Sequence, residues 1–103
     1  IKSLMTVVEL SHYPGQIKNN SFYSLLDNSI RRRQDRKSVY MESSTIYGTS
    51  YSFFKKNNKI LSKYPYSIIV DKIESIDIND IIDFNLSEII MNNPHLFKND
   101  KAK

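Results

Sequence analysis

The sequence predicts a small α+β domain over residues 1–103, with a mixed sheet of at least three strands and three helices. Three observations carry that expectation. The runs Thr6-Val7-Val8 and Ile68-Ile69-Val70 contain the β-branched types that suit a pleated, half-buried surface. Between and after them, apolar residues recur at three- and four-residue spacing, the period of a helix with one inward face. The resulting order is strand, helix, strand, helix, strand, helix, in a chain long enough for one core without metal or disulfide support.

Leu4 to Tyr13 forms the first expected strand, ended by the turn pair Pro14-Gly15. Gln16 to Asn20 reads as a polar connector. Ser21 is placed to cap a helix over 22–30, where Phe22, Leu25, Leu26 and Ile30 fall near one face. An arginine-rich loop leads to a short strand, Ser38 to Met41. Ser43, Ser44 and Thr45 offer capping hydroxyls for a second helix over 45–57, with Ile46, Tyr47, Ser50, Tyr51 and Phe54 inward. Gly48 inside that helix costs about 1 kcal/mol relative to alanine. Tyr66 to Ile76 is the next strand. Asp77 caps a last helix carrying Ile78, Ile81, Ile82, Ile89 and Ile90, and Asn85 and Ser87 leave open a break into two shorter ones. Residues 98–103 form a frayed tail.

Composition narrows the chemistry. The chain has no cysteine, which excludes disulfides, thiolate metal sites and cysteine nucleophiles. Two glycines are too few for a phosphate-cradling loop. No apolar run approaches the length of a membrane span, and no signal-peptide pattern opens the chain. Abundant Ile, Asn and Lys suggest an AT-rich genome, as in many phages and viruses. Residues 1–66 carry eleven Lys/Arg against four Asp/Glu, and residues 67–103 carry four against seven. A basic half joined to an acidic half points to an anionic partner, or to charge complementarity within or between molecules.

The densest positive patch is Arg31, Arg32, Arg33, Arg36 and Lys37, whose planar guanidinium forks suit phosphate oxygens; a solvated loop is the competing reading. His12 and His95 have no carboxylate cluster beside them and give no zinc signature. The acidic run Asp71, Glu74, Asp77, Asp80, Asp83 lacks the glycine turn and closing glutamate of a calcium loop. No metal is expected.

Ser38-Val39-Tyr40-Met41, followed by hydroxyl residues and by Tyr51 eleven positions after Tyr40, resembles ADP-ribosyltransferases of the histidine–tyrosine–glutamate class. In that family an early strand ends in a histidine that contacts the NAD ribose, and two tyrosines stack on the nicotinamide. His12, after Val7-Val8-Glu9-Leu10-Ser11, is similar to the early histidine, and Tyr66 to Asp71 to the next core strand. The resemblance spans residues 6–71. It implies NAD as cofactor, His12 on the ribose, Tyr40 and Tyr51 on the nicotinamide, and Arg31 to Arg36 on the pyrophosphate or an anionic target. The family's catalytic glutamate opens a late strand; Glu74 and Glu88 are nearest here, outside such a context, so the catalytic residue is unassigned. A non-catalytic relative is equally compatible, as are Tyr40 and Tyr51 serving only as core aromatics.

The leading expectation is therefore a small NAD-binding, ADP-ribosyltransferase-like domain, a phage or viral effector acting on a host macromolecule in the host cytoplasm. The alternative is a non-enzymatic basic module binding nucleic acid or an acidic protein, with Arg31 to Lys37, Lys55, Lys56, Lys59 and Lys63 as footprint and exposed tyrosines for base stacking. A third is a viral structural or assembly protein whose acidic half docks on a neighbour's basic half.

Overall fold

The computed structural model describes residues 1–26 and 37–97. Its centre is β1 (Ser3–Glu9), paired antiparallel with β4 (Tyr40–Thr49) on one side and parallel with β5 (Tyr66–Val70) on the other. A separate hairpin joins β2 (Gly15–Lys18) to β3 (Ser21–Ser24). Helix α1 (Tyr51–Asn57) follows β4, and α2 (Ile81–Asn92) runs into a 3₁₀ turn at Pro94–Leu96. The architecture is a small α+β arrangement with a three-stranded mixed sheet and a two-stranded antiparallel one. Among the described residues there are two α-helices, which overturns the expectation of three.

The missing helix was expected over 22–30. Asn19 and Asn20 both take positive φ, 49° and 65°, and Lys18 pairs with Ser21 across them. Two consecutive left-handed residues make the primed turn that matches strand twist, and asparagine tolerates that region better than most side chains. The turn therefore folds Phe22 and Tyr23 back onto β2 instead of letting Ser21 cap a helix; residues 27–30 lie outside the described residues. Gly15 is required here. A Cβ at that position would sit 2.6 Å from the Tyr23 carbonyl oxygen and would run into the Phe22 ring.

The second correction concerns Ser43, Ser44 and Thr45. They cap no helix, because β4 runs through them to Thr49. Met5 pairs with Tyr47 but Val7 with Glu42, so residues 43–46 bulge outward opposite Thr6 alone. Ser44 has φ 64°, a left-handed conformation that bends the strand. Thr6, 1% exposed, holds the bulge: its Oγ1 accepts from the Ser43 hydroxyl at 2.6 Å and from the Ile46 N–H at 3.0 Å. Thr45 Oγ1 donates to the Glu74 carbonyl at 3.0 Å, fastening the segment after β5 to the same bulge. Gly48 is a strand residue opposite Leu4, and a Cβ there would meet Leu4 Cγ at 3.0 Å.

Boundaries shift for local reasons. β1 ends at Glu9 and β5 at Val70, where the Asp71 and Glu74 side chains each accept the other's backbone N–H and close a turn. Asp80, not Asp77, caps α2 by accepting from the Asp83 N–H at 2.8 Å, while Asp83 accepts from Asn79 at 3.1 Å in a reciprocal capping arrangement. The helix then continues unbroken through Asn85 and Ser87.

The core is small. Among the described residues Val7 and Val8 are the buried apolar ones, joined by the buried hydroxyls of Ser3, Thr6 and Ser43. The radius of gyration is 17.2 Å, against about 13 Å for a compact chain of this length. Neither helix contains a buried residue, so most of the apolar surface faces outward. Among the described residues no helix is long and apolar enough to cross a membrane.

Candidate nucleic-acid interface

The end of the sheet where β1 begins, β4 finishes and β5 starts gathers lysines and tyrosines. Lys2 and Ser3, at the entry to β1, organise it. The Lys2 carbonyl accepts the Ser50 N–H at 2.9 Å, fixing the point where α1 leaves the sheet. The Ser3 hydroxyl, 3% exposed, accepts the Ser62 N–H at 2.9 Å and lies 2.7 Å from the Ser62 hydroxyl, tying down the chain entering β5. Consecutive Cα atoms are 3.8 Å apart. Two segments distant in sequence are thus anchored at one end of the sheet, on either side of β1.

Each segment presents a lysine–tyrosine pair. Ser50 caps α1 by accepting the Phe53 N–H at 3.2 Å, and Asn58 closes it in a left-handed conformation with its N–H bonded to the Phe54 carbonyl. That short helix puts Tyr51 in solvent, 75% exposed, with Lys55 Nζ 5.6 Å from its ring centroid. On the second segment Tyr64 is 83% exposed, with Lys63 Nζ 5.5 Å from its ring. A shallow depression of about 240 Å³ lies beside them, lined by Ile1, Lys2, Ser3, Ser62, Tyr64 and Tyr66. Lys56 and Lys59 are exposed on the same stretch, and residues 43–70 contain no Asp or Glu. Nothing acidic in that run competes for these ammonium groups. Exposed flat rings beside unpaired cations can stack on bases while the lysines meet phosphates.

The other end of the sheet differs. Tyr40 pairs with Glu9, and the Leu10 N–H reaches the Val39 carbonyl at 2.8 Å. His12 follows there, and Lys37 is drawn to that end by the Tyr13 hydroxyl, which donates to its carbonyl at 3.4 Å. Tyr51 stands beyond Thr49, which pairs with Ser3, so the length of β1 separates it from Tyr40, about 20 Å at strand rise. The register brings His12 and Tyr40 to one end and places Tyr51 at the other, giving the three no shared cleft. Arg31, Arg32, Arg33 and Arg36 lie outside the described residues; Lys37 is not part of the lysine–tyrosine end. No three of His, Asp and Glu among the described residues stand close enough to hold a metal ion.

Comparison with known family models and with curated proteins finds no match for this chain.

Lys2, Ser3, Ser62, Tyr64 and Tyr66 were not singled out by the sequence. The adjacent pair Lys63-Tyr64 inside an acid-free stretch was the available signal, but its place at the same end of the sheet as Tyr51 depends on the two serine anchors.

Beside the bulge, the Tyr47 hydroxyl donates to the Glu42 carboxylate and lies 3.2 Å from Ser44 Oγ. Ionising the phenol would forfeit the Glu42 bond and set two negative charges together, so its pKa is raised above 10.0. The raised value favours the folded state below the unfolded pKa, and that contribution disappears as pH climbs through the folded one. Ultraviolet titration should show one tyrosine ionising late. Glu42→Gln should return it toward the ordinary value; an unchanged curve would remove Glu42 as the cause.

Proposed function

We propose that this chain is a non-enzymatic module that binds single-stranded nucleic acid through the lysine–tyrosine end of its sheet. The observation that carries the reading is the pair of exposed tyrosines, each with a lysine over its ring, anchored through the adjacent residues Lys2 and Ser3 in a stretch free of acidic side chains. Rings present a π-face to any base, and ammonium groups follow the backbone, so recognition is tolerant of sequence. A single strand is favoured over a duplex because stacked, paired bases do not offer their faces.

Fluorescence anisotropy of labelled single-stranded DNA and RNA tests this, with a duplex of equal length as control. Binding should be saturable, stronger for the single strands, and quenching of tyrosine emission should accompany it. Its logarithm should fall linearly with the logarithm of salt, at about −0.7 per phosphate neutralised. Absence of binding at low salt, or equal affinity for the duplex, overturns the reading.

A further inference from the structure

We infer that the acidic, apolar segment carrying α2 docks on the lysine–tyrosine end of a second copy of this chain. The donor surface is unusual for an exposed helix. No residue of α2 is buried, and Ile81, Ile82 and Met91 are 68%, 72% and 79% exposed. Its chief packing partner is the 3₁₀ turn that follows it. Residues 71–92 carry six acidic side chains and one lysine. An apolar helix with one sign of charge along it is built to cover a surface of the opposite sign.

The receiving surface has that character. Lys55, Lys59 and Lys63 make no ion pair among the described residues, and Phe54 and Ile60, their neighbours in sequence, are exposed. Both surfaces therefore combine uncovered apolar area with unpaired charge, negative on one and positive on the other. Within one copy the sheet keeps the start of the acidic segment away from the lysines. β5 runs parallel to β1, so Asp71 emerges at the Glu9 end, and the Thr45–Glu74 bond holds the following turn against the bulge. A second copy meets no such constraint, since its α2 approaches the lysine end from outside. The chemistry thus selects another molecule of the same chain, with the charge complementarity supplied by its own two halves.

Sedimentation velocity over a concentration series tests this without nucleic acid, so its outcome is independent of the preceding proposal. Wild-type protein should associate at about 0.1 M salt and dissociate toward single copies at about 1 M, as the screening length shrinks from about 10 Å to about 3 Å. Lys55→Glu/Lys59→Glu/Lys63→Glu and, separately, Asp77→Lys/Glu88→Lys should each weaken association at least about tenfold, a change of about 1.4 kcal/mol. Mixing the two variants should restore it, because reversed α2 of one then faces the reversed end of the other. That rescue distinguishes lost contact from lost folding. A single-copy mass at every concentration overturns the inference, as does association unaffected by salt, by either reversal or by mixing.

Discussion

Replacing Lys55, Lys59 and Lys63 together by glutamine should lower the magnitude of the salt slope for single-stranded DNA by about 2, at about 0.7 per lost phosphate contact. Between 50 mM and 200 mM salt the wild-type protein should therefore lose roughly eighteenfold more affinity than the variant, since a fourfold salt change is raised to a slope difference of about 2 from three contacts. The three residues are exposed and none donates to another side chain among the described residues, so the substitutions leave the fold in place. Tyr51→Ala and Tyr64→Ala probe the other half of the interaction. Each should cost about 1–3 kcal/mol of binding while leaving the salt slope unchanged, because stacking releases no counterions. A salt slope that survives the lysine substitutions would place the phosphate contacts elsewhere, with the arginines at 31–36 as the next candidates. Tyrosine variants that bind as wild type would remove stacking from the account.

Thr6→Val should destabilise the sheet measurably. Valine matches threonine in shape but removes the oxygen that receives the Ser43 hydroxyl and the Ile46 N–H. The Ser43 hydroxyl can turn to Thr45 Oγ1, 3.2 Å away, but Ile46 has no such second acceptor. Leaving this half-buried donor unmatched costs about 1 kcal/mol, at the low end of the range for an unsatisfied donor and still a noticeable share of the roughly 5–15 kcal/mol that holds a domain folded. Thr6→Ser keeps the oxygen and loses one methyl, worth about 0.8 kcal/mol. Urea denaturation should show the midpoint of the valine variant well below that of the serine variant at equal slope. Hydrogen exchange at Ile46 should quicken in the former alone. Equal midpoints for the two would mean that the hydroxyl network contributes nothing and that the methyl carries the site.

The places where sequence expectation and structure diverge have two different causes. Ser43, Ser44 and Thr45 have the composition of a helix cap, and Ile46 to Phe54 has apolar residues at helical spacing. Yet Thr6, nearly forty residues earlier, supplies an acceptor that keeps the chain extended as a bulged strand as far as Thr49, and the helix starts only at Tyr51. Local hydrogen-bonding capacity was legible; the partner that uses it was not. The hairpin is the opposite case. Asn19-Asn20 is a local turn signal, overlooked because Phe22, Leu25 and Leu26 also fit a helix face, and short apolar runs satisfy both periods. The lysine–tyrosine end was half legible, since Lys55, Lys56, Lys59 and Lys63 stood out as a basic footprint. The serine anchors that bring Tyr51 and Tyr64 to the same end of the sheet did not, because a serine's sequence carries no trace of a bonding partner fifty-nine positions away.

What the sequence determined by itself was the chemistry available: two β-branched runs that become the neighbouring strands β1 and β5, a basic portion and an acidic one, and no thiol. Composition and side-chain branching act locally and need no partner. What only the tertiary structure decided was which groups share an end of the sheet. His12 and Tyr40 lie near the close of β1, Tyr51 near its start, and the acidic turn after β5 at the far side from the lysines. Register makes that choice. A strand advances about 3.3 Å per residue, so the pairing of Glu9 with Tyr40 and Ser3 with Thr49 sets a separation that eleven residues of sequence leave undetermined. The same eleven residues wound into turn and helix would have brought the two phenols together; drawn out along β1, they hold them apart.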